Sequence, residues 1–184
     1  DGFWDVASNW RDTAGVSRVP TVSDDVLIDR GAANPTVTIR SSESVHALLS
    51  KEPVIIGNSS LALAADSAFE GNATIDSSTV NGPGTLTNAT SLTLSFSTIN
   101  APLENQGLLL VRGSSNAING ALTTTSGSTL RVEGNGISGT AQLTVLNGFT
   151  NNGVIELTAN DTIQGATLAV TSGKRVPSLP NVPT

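Results

Sequence analysis

Two tryptophans six residues apart, Trp4 and Trp10, are the only indole rings in the chain. Such rings can stack their faces on sugars as a carbohydrate platform, or they can cover the apolar end of a fold and keep water out. A short acidic run follows, Asp24-Asp25-Val26-Leu27-Ile28-Asp29. The carboxylates of Asp24, Asp25 and Asp29 could ligate calcium through oxygen, although the Asp-x-Asp-x-Asp-Gly pattern of a calcium loop is missing. Calcium is thus the one cation to consider, and no other cofactor is expected.

Other chemistry is poorly supplied. The absence of cysteine excludes a thiol nucleophile, a disulfide framework and a Cys/His zinc cluster, and a single histidine cannot form a His-rich metal site. That histidine, in Val45-His46-Ala47-Leu48-Leu49, reads as a solvent-facing strand or turn residue, because no acid or nucleophile has a predictable place beside it. A lyase acting on acidic polysaccharides would need a basic groove. Here Lys51 stands isolated, and nine Lys and Arg against fifteen Asp and Glu leave a net charge of −6 that repels uronates. Glu133 and Glu156 are glycosidase candidates by proximity alone. The sequence therefore reads as non-enzymatic. The same charge argues against nucleic acid, and no apolar run reaches the roughly 18 residues of a membrane span. Charged residues make up 13%, with Ser, Thr, Asn and Gly in their place, which suits an extracellular or cell-surface setting. No signal peptide precedes Asp1, so the expectation is a segment excised from a longer precursor.

The elements that must position these residues are short strands. Val26-Leu27-Ile28, Val37-Thr38-Ile39, Val54-Ile55-Ile56, Leu61-Ala62-Leu63, Ala73-Thr74-Ile75 and Leu92-Thr93-Leu94 recur between turn residues, each fit to bury one face. Only Ser44 to Leu49 and Ala62 to Phe69 could form a helical turn.

Internal repetition decides how the strands assemble. Segments beginning at Thr79, Thr98, Ala117 and Val145 share an apolar-Asn-Gly/Ala start, a Leu or Phe, a small residue and an apolar-x-apolar end. Their equivalent positions Leu92, Leu109, Leu130 and Ile155 are 17, 21 and 25 residues apart. A period near 20 with elastic spacing fits one coil of three strands and three turns, whose apolar residues are buried only when coils stack. Asn81, Asn100, Asn119 and Asn147 then fall in one row, where left-handed backbone and an internal amide ladder are expected. The alignment also sets Arg112 beside Glu133 and Arg131 beside Glu156 as solvated pairs between adjacent coils.

An exposed solenoid end needs cover, so residues 1–25, with Phe3, Trp4 and Trp10, read as a cap, with the sugar platform as the competing use. Coils are expected over 26–173. The stretch 174–184, with Pro177, Pro180 and Pro183, reads as a spacer or a docking arm.

The run Trp4-x5-Trp10, Val19-Pro20-x3-Asp24-Asp25-Val26-Leu27-Ile28-Asp29, Val37-Thr38-Ile39 and Val45-His46-Ala47-Leu48 resembles the opening of β-solenoid regions in large secreted or surface proteins of environmental bacteria. The segments Leu103-Glu-Asn-Gln-Gly and Phe149-Thr-Asn-Asn-Gly-Val-Ile-Glu-Leu are similar to later coils of such regions. The resemblance implies adhesin-like, fibre-forming or glycan-associated roles and carries no catalytic apparatus. The expected architecture is an all-β, right-handed parallel β-helix of eight or nine coils with a Trp-containing cap. The expected partners are a polysaccharide or cell-surface glycan, or further copies of the chain stacked end to end.

Overall fold

The computed structural model describes residues 1–161 and 163–171. The proline-rich stretch 174–184 lies outside the described residues.

Each apolar triplet forms a strand of two to six residues, because alternate side chains leave opposite faces and only one face is buried. One coil shows the plan. Ala73–Asp76 lies in a first sheet, Thr79–Asn81 in a second and Leu86–Asn88 in a third; the chain then rises to Ser91–Ser95, which pairs in parallel with Ala73–Asp76. Repetition of this step builds three parallel sheets of eight, seven and seven strands. The molecule is an all-β solenoid, in agreement with the repeat. Its only helical turns among the described residues are two 3-10 segments, Ala7–Asn9 and Gly31–Ala33.

Three expectations need correction. Ser44 to Leu49 and Ala62 to Phe69 form no helical turn; they belong to the strands Glu43–Val45, Ala47–Ser50, Ser60–Leu63 and Ser67–Phe69, with bends at His46 and at Ala64 and Ala65 between them. Only extended chain buries Val45, Leu48, Leu63 and Phe69 while pairing with the neighbouring coils, on both sides for Leu48, Leu63 and Phe69 and on one side for Val45. The described residues hold six complete coils, from Val37–Ile39 to Phe149–Thr150, with part of a coil at either end. Residues 4–24 contribute no sheet strand, which removes about one coil from the estimate, and the final coils lengthen to 25 residues between Leu130 and Ile155. The row of Asn81, Asn100 and Asn119 does form an amide ladder, with bonds of 2.7 Å from Asn100 to Asn81 and from Asn119 to Asn100. It runs along the outward face, however, and Asn147 leaves the row to donate to the Asn119 carbonyl. The left-handed corners lie elsewhere, at Asn58, Ser77 and Phe96.

The predicted register holds. Leu92 pairs with Leu109, Leu109 with Leu130, and Leu130 with Ile155. A second inward column runs through Ile56, Ile75, Leu94, Val111 and Val132, all of them shielded from solvent. Each such side chain contributes roughly 1.5–3 kcal/mol by leaving water.

Two polar rows run inside the same core. At the corner between the first and second sheets, Ser59 N–H donates to Ser78 Oγ, Ser78 N–H to Ser97 Oγ, and Ser97 N–H to Asn116 Oδ1, at 3.0, 3.0 and 3.1 Å. In the third sheet Asn88 donates to Asn105 Oδ1 at 2.7 Å and Thr124 to Asn151 Oδ1 at 2.8 Å. These rows give the Ser78 and Ser97 N–H groups and the Asn88 amide N–H partners inside the core.

Replacing Leu130 with Ala is expected to cost about 2–5 kcal/mol, as for a fully buried leucine whose neighbours cannot close in. Leu130→Asp buries a charge between stacked coils and should unfold the chain. Thermal melting followed by circular dichroism checks both; an Asp variant with the parent melting temperature would refute the stacking register.

Candidate functional site

The tryptophans and aspartates singled out by chemistry gather at the N-terminal end of the solenoid, where the first strands meet the segment 4–24, whereas Glu133 and Glu156 lie in the last two strands of the first sheet. Gly2–Phe3 extends the first sheet by pairing with Val37 and Thr38, and Trp4 N–H donates to the Thr38 carbonyl at 2.9 Å. That bond carries the Trp4 side chain into the core, where it is 0% exposed. Trp10 packs on it with ring centroids 4.6 Å apart and planes inclined by 59°, and the Trp10 indole N–H donates to the Trp4 carbonyl at 2.6 Å. Trp4 therefore has no free face for a sugar. Trp10 is half-buried and lines two grooves, one shared with Arg18 and Pro20, the other with Asn9, Leu27 and Pro35. Beside them Arg40 lies over the exposed Phe3 ring, 3.6 Å from its centroid, and bonds Asp5.

The three aspartates do not converge. Asp24 takes a two-pronged bond from Arg18 at 2.6 and 2.5 Å, together with the Thr21 N–H and hydroxyl at 2.7 and 2.8 Å. Asp25 meets His46 Nδ1 at 2.6 Å, and Asp29 accepts from Lys51 at 2.8 Å. Each carboxylate thus faces a separate basic group, and no cluster of three acidic or imidazole ligands occurs among the described residues. The Arg18 guanidinium, followed by the Thr21 N–H, holds the Asp24 carboxyl well below the usual carboxylate range. Lys51 lowers Asp29 in the same way and is itself raised by it.

None of these three pairs follows from the sequence pattern, and two of them overturn an expectation. Lys51 is not isolated, and His46 has an acid beside it, although its half-exposed ring does face solvent. Both contacts cross from one coil to the next, between residues 21 or 22 apart, so only the coil length could have signalled them. The two pairs foreseen from the repeats are formed. Arg112 holds Glu133 through Nε and Nη2 at 3.0 and 2.6 Å, and Arg131 holds Glu156 at 2.5 Å. Glu133 is less solvated than expected, with a side chain only 8% exposed, because it sits under Arg112.

A further shallow groove of about 480 Å³ crosses the outer side of the third sheet, with Leu27, Leu49 and Ala68 on its floor and Asp25 and Asp66 on its rim. Comparison of the chain with protein-family models, curated proteins and solved structures finds no match.

Because the folded chain holds the Asp24 proton less tightly than the unfolded chain does, this pairing stabilises fully above the ordinary carboxylate range of about pH 4 and is lost as the pH falls below it. Tryptophan fluorescence melts from pH 7 to pH 2 should show the decline. Asp24→Asn should melt lower at pH 7 and fall less steeply in acid; an acid slope equal to the parent's would refute the role of this pair.

Proposed function

We propose that this chain is a structural and adhesive module of a larger extracellular or cell-surface protein, acting by display and not by catalysis. The observation that carries the reading is the outer side of the second sheet. Ser60, Thr79, Thr98 and Ala117 form one continuous row there, and Ala62, Asn81 and Asn100 form the next. The hydroxyls of Ser60, Thr79 and Thr98 and the amides of Asn81 and Asn100, with the small Ala62 and Ala117 in the same rows, repeat at the coil spacing of about 4.8 Å and offer many shallow hydrogen-bonding sites. Such sites bind weakly one at a time and gain strength through repetition. The ionic side chains fit the same role, since the basic groups Arg18, His46, Lys51, Arg112 and Arg131 each pair with a carboxylate of this chain.

End-to-end assembly of copies is the second reading, and the other end of the solenoid favours it. Phe149–Thr150, Val154–Ala159 and Ala166–Val170 are the outermost strands of their sheets among the described residues, and the inward column ends there on a Leu157 that is 52% exposed. In both readings residues 1–25 serve as the cap of the opposite end, with Trp4 in the core and Trp10 over it.

Immobilised single and tandem copies are expected to differ in their retention of cells or polysaccharide by far more than the doubling of sites, with the single copy weak. Tight binding by one copy, or turnover of any polysaccharide, would overturn the display reading. Deletion of residues 1–19 should expose the first strand edges and produce aggregation visible in light scattering; a monomeric truncation with the parent's stability would refute the cap.

A further inference from the structure

One corner of the solenoid carries a residue that the architecture disfavours. Where the first sheet turns into the second, three successive coils use a single left-handed residue: Asn58 at φ 49°, Ser77 at 50° and Phe96 at 50°. Asparagine accepts this conformation readily, whereas an aromatic side chain there is strained. Phe96 is nevertheless 45% exposed. The strain is thus not offset by full burial of the ring, which leaves a large aromatic surface at a position where small polar residues would fit.

The next coil is shaped around the ring. Arg112 pairs with Ser95, and Asn116 accepts from Ser97, so Gly113, Ser114 and Ser115 occupy the space that Phe96 fills alone one coil earlier. A Cβ added to Gly113 would stand no more than 2.9 Å from Cε1, Cζ and Cε2 of Phe96. Close approach to all three distal ring atoms places the face of the ring, and not its edge, over the glycine. With 45% of its surface exposed, Phe96 keeps a substantial part of the ring in contact with solvent. Next to Phe96 in the chain is the half-exposed Ser95, whose register partners in the adjoining coils are Asp76 and Arg112; the exposed Ser77 donates its N–H to the Ser95 carbonyl at 2.9 Å, and Arg112 holds Glu133 through Nε and Nη2.

We propose that Phe96 is the stacking platform of a binding site for a neutral hexopyranose unit of a polysaccharide. The C–H face of the sugar covers the exposed side of the ring, and its hydroxyls meet Ser77, Asp76, Ser95 and Arg112 Nη1. The sugar is neutral because Asp76 stands at the site, Arg112 is neutralised by Glu133, and the chain carries −6 overall. Display of a polar face does not require this site. The proposal gives that face a ligand class and moves the aromatic contact away from the Trp pair.

The test is a titration of the whole chain followed by ¹H–¹⁵N spectra, using cellohexaose, laminarihexaose, mannohexaose and chitohexaose, with hexagalacturonate as the anionic counterpart. At least one neutral hexasaccharide should shift the amides of Ser95, Phe96 and Arg112 and saturate with a Kd on the order of 1 mM, as suits a shallow site. Hexagalacturonate should bind more weakly. Phe96→Ser and Phe96→Asn carry the residues that the two earlier coils use at this corner, so both should keep or raise the melting temperature while losing about tenfold or more in affinity. Four results would overturn the site: no shift at these amides up to about 20 mM of any neutral sugar, shifts centred on Trp10, a preference for hexagalacturonate, or unchanged affinity in either folded variant.

Discussion

Every coil of this protein is unstable alone, and the stacking of one coil on the next is the interaction on which all else depends. A coil offers three short strands whose N–H and C=O groups have no partners within the coil and whose inward side chains cover only half of a core. Pairing Leu109 between Leu92 and Leu130 satisfies both needs at once, because the spacing that closes the strand hydrogen bonds also brings leucine onto leucine. Stability is therefore distributed along the axis, and the two ends are the places where it runs out. At the N-terminal end Trp4 lies in the core with Trp10 packed on it; among the last described strands Leu157 stands partly in water.

Stacking alone would tolerate slippage, since one aliphatic residue packs on another at many offsets. The interior polar rows narrow the choice. Ser78 and Ser97 must sit directly over the corners of their neighbours, because a shift by one residue would turn each hydroxyl outward and leave a buried N–H without a partner. The row from Asn88 to Asn105 acts the same way in the third sheet. The left-handed corners at Asn58 and Ser77 complete the device by fixing where the chain turns. Apolar columns supply most of the burial, and polar rows select the register.

The outer surface follows a different logic. Several of its basic groups are matched, Arg112 with Glu133 and Arg131 with Glu156 between coils, and at the N-terminal end Arg18, His46 and Lys51 each take one aspartate. What is left facing solvent on the second sheet is mainly hydroxyl and amide. Exposed pairs of this kind add little to stability. Among the described residues they leave acidic groups unmatched, as at Asp66, Asp76 and Glu104, in keeping with the net charge of −6.

The sequence by itself determined the class of fold, the inward columns and the cross-coil ion pairs of Arg112 and Arg131. These rest on period and alternation, which repeat with the structural unit and so can be read without knowing how the unit folds. Six complete coils instead of eight or nine, the outward course of the Asn ladder and the separation of Asp24, Asp25 and Asp29 onto different partners were decided only in three dimensions. The reason is that corners vary in length. Asp25 reaches His46, and Gly113 lies beneath Phe96, only after the turns between them have fixed which residues stand one coil apart. A repeat with elastic spacing specifies its strands far more tightly than its turns, and the chemistry at the surface of this solenoid is set largely at the turns.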